Sequence, residues 1–244
     1  MVLPSVASRA EWLASRKELL VKEKENTKAR DAVNTARRLL PMVRIEKDYV
    51  FEGRQGKRAL PDLFDGRRQL LVRHVMFGPD WDEPCPGCAG AIGLYTPALF
   101  EALATRETTL VLVSRAPMVK IAEAQLKHGW YLPWYSSHGG DFNFDFQVSL
   151  DASVPQVEYN YREELDLLDQ ERSVEAPGFS AFLRTEGEHG PEVFHTYSTY
   201  ARGMDYAEFV YPMLDWTALG RQEAWEEPKG RADTDRRDDI GFEG

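Results

Sequence analysis

Two stretches of the chain are almost free of polar residues, and both have the length of a buried strand. Gln69 to Phe77 (QLLVRHVMF) is interrupted by Arg73 and His74, and Thr108 to Ser114 (TTLVLVS) is apolar through its middle. Strands covered on both faces read as near-continuous apolar runs, so these two predict the centre of a sheet. Between them, Pro86 to Thr105 has helical length and composition, with Thr96-Pro97 as an interior break or a restarted helix. Pro117 opens another helix through His128, and Gly129 stands where a residue just past a C-cap belongs.

Around this centre the pattern is weaker. Residues 5–40 read as helical: Trp12, Leu13, Leu19, Leu20, Val33, Leu39 and Leu40 are loosely spaced among Lys, Glu, Arg and Ala, and Pro41 ends the run. Tyr49-Val50-Phe51 followed by Gly53 and Gly56 reads as half of a hairpin, and Pro61 to Gly66 as a helical turn or loop. Trp130 to Phe146 is rich in aromatic and turn residues. Phe179 to Leu183 and Val193 to Tyr197 predict a closing antiparallel pair around Glu186-Gly187. Strand, helix, strand, helix and hairpin predict an α/β fold, a thioredoxin-like mixed β-sheet flanked by helices, with an N-terminal helical arm. The expected organisation is an arm over 1–45, the thioredoxin-like domain over 46–222 and a polar, flexible C-terminal tail over 223–244.

Composition narrows the function. With 43% hydrophobic and 29% charged residues, the 244-residue chain is expected to be globular rather than disordered. A formal net charge of −10 argues against nucleic acid, whose phosphates call for clustered Lys and Arg. Residues 1–47 do carry eleven Lys/Arg against six Asp/Glu, but the interleaved acids blunt any uniform positive face. No run approaches the ~18 consecutive apolar residues of a membrane span, and Met1 to Arg9 does not resemble a secretory signal. A cytoplasmic protein without membrane contact is therefore the expectation. The long arm makes a homodimer the natural oligomer to test.

The candidate chemistry lies in Cys85-Pro86-Gly87-Cys88, which holds both cysteines of the chain, just beyond a buried strand and at the start of a helix. In a reducing compartment such a pair is more often catalytic or metal-binding than a structural staple. The first cysteine faces free backbone N–H groups and the positive end of the helix dipole, both of which favour a thiolate. The second lies one turn along on the same face, where Cβ atoms are about 5–6 Å apart. A disulfide wants roughly 3.5–4.5 Å, a modest tightening. Pro86 suits the first helical position, and Gly87 allows a partner backbone to approach closely. The predicted reaction is attack by the Cys85 thiolate on a protein or small-molecule disulfide, followed by resolution by Cys88. A zinc site is the sharpest alternative; it requires two further ligands, drawn from His74, His138 or His195. A non-catalytic binding module is a second alternative. A thiol peroxidase is a third, weakened because Asp82, not Ser or Thr, stands three residues before Cys85.

Tyr49-Val50-Phe51-Glu52-Gly53, then Leu63 to Leu70, and His74-Val75-Met76-Phe77-Gly78-Pro79-Asp80-Trp81 with the C-P-G-C that follows carry a family resemblance. In these strings the chain resembles a largely bacterial thioredoxin-like family catalogued as domain of unknown function 899, sometimes labelled a predicted dithiol–disulfide oxidoreductase. The resemblance continues through Val113 to Pro117, Gly129-Trp130, Pro133-Trp134 and Asp141-Phe142-Asn143, and closes at Phe194 to Gly203, covering about residues 30–222. It implies a thioredoxin-like fold and a dithiol centre. Thioredoxins usually read W-C-G-P-C and carry a buried acid on the strand beneath. Here Trp81 lies four residues ahead of Cys85, and QLLVRHVMF has no acid. The resemblance also implies a substrate-binding cis-proline before the penultimate strand, the place that Pro177 occupies.

Other side chains are singled out as substrate-binding. Trp81 and Trp134 could line an aromatic groove over the dithiol with Trp130, Tyr135, Phe142, Phe144 and Phe146; ordinary packing is the alternative for at least half of them. Arg115, after a strand end, could lower the Cys85 pKa or simply pair with an acid. His195 and Tyr197 alternate with Phe194 and Thr196, so one pair should face inward, with His195 a structural histidine. His138-Gly139-Gly140-Asp141 is too weak for a metal or phosphate site. With no Gly-rich phosphate loop and no Ser-His-Asp spacing, no cofactor is expected.

Overall fold

The computed structural model describes residues 3–151, 158–163, 174–188, 190–207, 209–221 and 225–229. The chain forms two units, one of Met1–Pro41 with Met213–Arg237 and one centred on Met42–Pro212. Of the expected C-terminal tail, all but residues 225–229 lies outside the described residues.

In the first unit, helix α1 (Arg9–Arg38) starts at a capping box. The Ser8 hydroxyl accepts from the Glu11 amide at 3.3 Å, while the Glu11 carboxylate accepts from the Ser8 amide at 2.9 Å. Arg37 and Arg38 suit the negative end of its dipole, and none of its residues is buried within the chain.

The second unit is built on twelve strands among the described residues. Its N-terminal part contains β1 (Val43–Arg44), the hairpin β2 (Val50–Gly53) and β3 (Gly56–Ala59), a 3-10 turn over Leu60–Phe64, and β4 (Gln69–His74). Helices α2 (Pro86–Gly93) and α3 (Pro97–Ala104) follow, bent by 71° where Pro97 restarts the helix. Next come β5 (Thr108–Ser114), α4 (Met118–His128), β6 (Trp134–Ser136), α5 (Phe142–Asp145) and β7 (Ser149–Leu150). The remainder is β8 (Glu158–Tyr159), β9 (Arg162–Glu163), β10 (Val174–Glu175), β11 (Gly178–Gly187) and β12 (Gly190–Tyr200). α4 closes on Gly129 at φ 69°, a left-handed conformation that glycine adopts without strain.

Eight strands form one mixed sheet in the order β1-β12-β11-β4-β5-β6-β2-β3, with β4, β5 and β6 parallel and β11, β12 and β1 antiparallel beyond them. A parallel β4-helix-β5 crossover beside an antiparallel hairpin is the thioredoxin-like arrangement, so the expected fold class holds. The short strand β6 was not legible in the aromatic-rich stretch, because three residues are too few to show alternation. Tertiary contact with β5 and β2 makes it a strand.

Alternation along the two central strands divides the core into two faces. Leu71, Val75, Leu110 and Leu112 contribute to one cluster, with Phe77, Cys85, Cys88, Ile92, Ile121 and Trp134. Leu70, Val72, Val111 and Val113 contribute to the other, with Phe51, Phe64, Phe142, Phe146 and Phe182. Arg73 therefore belongs to the cysteine face and His74 to the opposite one. In the hairpin, the register shifts between Ala181 and Phe182, so that Ala181 faces Tyr197 and Phe182 faces His195. This bulge breaks the strict inward–outward alternation expected of 194–197. It sets His195 against the rings of Phe146 (5.2 Å) and Phe182 (5.5 Å).

No single helix among the described residues is long and apolar enough to cross a membrane.

Candidate active site

Beyond β4 the chain runs on beside β5: the Val75 amide donates to Val113 O at 2.9 Å, and the Ala116 amide to Phe77 O at 2.8 Å. A loop then returns, and the Cys85 amide donates to Met76 O at 2.9 Å, tying the first cysteine to the end of the central strand. The loop is clamped to α4. Lys120 Nζ donates to Trp81 O at 2.8 Å, and Glu83 engages both Lys127 and His128. A Cβ at Gly78 would lie 3.0 Å from the Trp81 indole nitrogen, so a residue without a side chain lets the ring fold back over it.

Cys85 is the N-cap of α2, with extended backbone (φ −48°, ψ 134°) and Pro86 at the first helical position. Both thiols are free. Both are buried, Cys85 at 8% exposed and Cys88 at 2%, so the first is the less deeply enclosed. The Cys88 S–H donates to the Cys85 sulfur. That bond is the largest influence holding the Cys85 pKa down, at about 6. Burial opposes it, and the backbone N–H groups of Cys88 and Gly87 and the charge of Arg73 assist. The same bond, with burial, pushes the Cys88 thiol well above its ordinary value. The two sulfurs are thus driven apart: the site favours the thiolate at Cys85 and the thiol at Cys88.

Trp81 and Trp134 do share the apolar cluster of the cysteines. Trp134 does not line a groove, however: it is 2% exposed, donates its indole N–H to Ser114 Oγ at 3.0 Å, and is core. Trp81 is half-buried. Phe142 and Phe146 belong to the other face of the sheet, so the expected aromatic groove is not one surface. Arg115 is engaged elsewhere. Its guanidinium pairs with Glu175 at 3.0 Å and lies over the Phe144 ring at 4.5 Å.

The expectation for Pro177 is overturned in one respect. The Ala176–Pro177 bond is not cis, and Pro177 is buried, with its carbonyl accepting the Tyr159 hydroxyl at 3.0 Å. The physical reason is the small ladder of β10 with β7, extended by the Ala176 amide donating to Val148 O at 2.8 Å. That ladder occupies the backbone a cis-proline would present.

Sequence reasoning passed over two residues. Arg73, 2% exposed on the cysteine face, influences both thiols. Tyr159 is 4% exposed, and its hydroxyl is influenced by Cys88 and Arg73. An arginine inside an apolar strand run was the available signal for the first; nothing in the sequence around Tyr159 marked the second. Among the described residues, no three His, Cys, Asp or Glu side chains form a group able to hold a metal. His74 instead heads a hydrogen-bonded chain on the far face, His74 Nε2 to Ser180 Oγ to Ser198 Oγ to His195 Nε2, each link 2.8 Å.

The family model described as "Bacterial protein of unknown function (DUF899)" matches residues 1–239. No match was found among curated proteins. Among solved structures, the chain is similar to PrxQ of Xylella fastidiosa, at 12% identity over 67% of this chain and 88% of that one, with a TM-score of 0.40. It is also similar to peroxiredoxin Q of Xanthomonas campestris, at 15% identity over 68% and 89%, with a TM-score of 0.41. A third is the peroxidoxin BcpB of Mycobacterium tuberculosis, at 14% identity over 70% and 93%, with a TM-score of 0.42.

Proposed function

The chain belongs to DUF899, a bacterial family of unknown function, and from the geometry of its two thiols we propose that it is a thiol–disulfide oxidoreductase. One observation carries this reading: Cys85 caps the start of α2 with Cys88 one turn along, an arrangement in which the helix-start N–H groups and the Cys88 thiol favour ionisation of Cys85. Thiolate attack on a disulfide requires the ionised sulfur, and resolution requires a second thiol within reach.

In the reducing direction, the Cys85 thiolate attacks one sulfur of a substrate disulfide, and the other sulfur leaves as a thiolate. Cys88 then loses its proton to solvent or to that leaving thiolate. It attacks Cys85, closing the Cys85–Cys88 disulfide and releasing the second substrate thiol. Two electrons pass from the protein dithiol to the substrate disulfide, and each step is reversible. Exposed Pro86 and half-buried Gly87 follow Cys85 in the chain, half-buried Trp81 packs against the apolar cluster of the cysteines, and we assign Trp81 to the substrate contact. The substrate class is a protein or small-molecule disulfide or dithiol.

Redox titration against glutathione, with trapping of free thiols, tests the reading. A Cys85–Cys88 disulfide that forms reversibly supports it, together with a mixed disulfide that accumulates on Cys85 in Cys88→Ser. A disulfide that never forms under mild oxidation defeats it.

A further inference from the structure

The sheet sets a cation behind the dithiol. Arg73, the next-to-last residue of β4, is 2% exposed and shares its face with Leu71 and Val75, hence with both cysteines. Three residues on, Met76 O receives the Cys85 amide at 2.9 Å, so one strand holds both the cation and the backbone of the nucleophile. Neighbours in β11 and the turn after β12 fix the guanidinium in place. The Phe179 ring lies 4.9 Å from its central carbon, and Met204 Sδ accepts from it at 3.7 Å.

We propose that Arg73 is a positioning residue that sets the redox poise of the dithiol, favouring the reduced form over the disulfide and making the disulfide form an oxidant of partner dithiols. This rests on the oxidoreductase reading. The reduced site carries one negative charge, on Cys85, and the disulfide carries none. A fixed positive charge on that side of the sheet therefore stabilises the reduced state selectively, and stabilising the reduced form raises the reduction potential. The low dielectric of the core keeps the effect from being screened away. Arg73 draws both thiols toward ionisation, which agrees in sign. In the favoured direction, a partner dithiol loses two electrons and becomes a disulfide. The Cys85–Cys88 bond breaks, leaving a Cys85 thiolate and a Cys88 thiol, and of the two partner protons one stays on Cys88 and one goes to solvent.

The full chain is tested as wild type, Arg73→Met and Arg73→Lys. Thiolate absorbance near 240 nm is followed against pH, and the disulfide is equilibrated with reduced and oxidised glutathione. In Arg73→Met the Cys85 midpoint rises by about half a pH unit or more. The glutathione equilibrium shifts about threefold toward the disulfide, ~14 mV at 29.6 mV per tenfold. Arg73→Lys, which keeps the charge, stays nearer to wild type. A folded Arg73→Met with both readouts unchanged overturns the role of Arg73 alone. Should that variant not fold, a wild-type midpoint at or above the ~8.5 of a free cysteine overturns it too. A disulfide that forms in no variant defeats the oxidoreductase reading, while the midpoints still report whether Arg73 acts on Cys85.

Discussion

Cys88 donates its thiol proton to the sulfur of Cys85, and the two members of the pair differ because of it. The acceptor is favoured as a thiolate and is the less deeply buried of the two; the donor is favoured as a thiol inside the core. Two chemically identical side chains in one tetrapeptide thereby favour opposite protonation states.

The pH dependence of attack follows from this. With the Cys85 pKa pushed down to about 6, the second-order rate toward a small disulfide should level off above about pH 7. It should fall about tenfold per pH unit well below 6, as the thiolate is lost. Stopped-flow measurement of a chromogenic disulfide checks the profile. Cys88→Ala, which removes the largest stabilising contact, should move the midpoint upward by more than Arg73→Met does.

Arg115 and Glu175 make the contrasting case. Burial pushes the Glu175 pKa up, and Ser149 and Arg115 counter by hydrogen bonding and charge. Arg115→Ala leaves a buried carboxyl without this cation and should destabilise the fold by about 3 kcal/mol in denaturant titration. The Cys85 midpoint should stay where it is. A midpoint that rises with Arg115→Ala would return this residue to the dithiol.

His74 predicts a loss of stability in acid. Its folded pKa is depressed to about 3, first by burial and then by the charges of Arg73 and His195. The unfolded chain takes up a proton below about pH 6.5 and the folded chain does not, so this contribution is complete above 6.5. It is lost as pH falls from there toward 3, at up to about 1.4 kcal/mol per pH unit. Urea midpoints across that window measure it, and His74→Gln should flatten the slope.

Trp81 is expected to act on the substrate and not on the thiol. Trp81→Ala should raise KM for a disulfide substrate severalfold and leave the Cys85 midpoint unchanged. Gly78→Ala, whose new methyl would meet the indole at 3.0–3.1 Å, should show a milder version of the same defect, with altered tryptophan fluorescence.

What the sequence determined by itself was local. The apolar runs at 69–77 and 108–114 were legible as central strands because burial on both faces leaves no polar positions to blur them. The helix from Pro117 to Gly129 was legible because proline and glycine mark its ends. The dithiol stood out because both cysteines of the chain fall in one tetrapeptide at a helix start. What tertiary structure decided was which charge and which ring face the sulfurs. Arg115 follows a strand end and looked well placed, yet Glu175, distant in sequence, claims it through a ladder that no periodicity announces. Arg73 and His74 are adjacent, and the pleat sends one to the cysteines and the other to a buried chain of serines and histidine on the far side. Strand alternation states that two neighbours part; only the helices packed on each face determine which of them meets the dithiol.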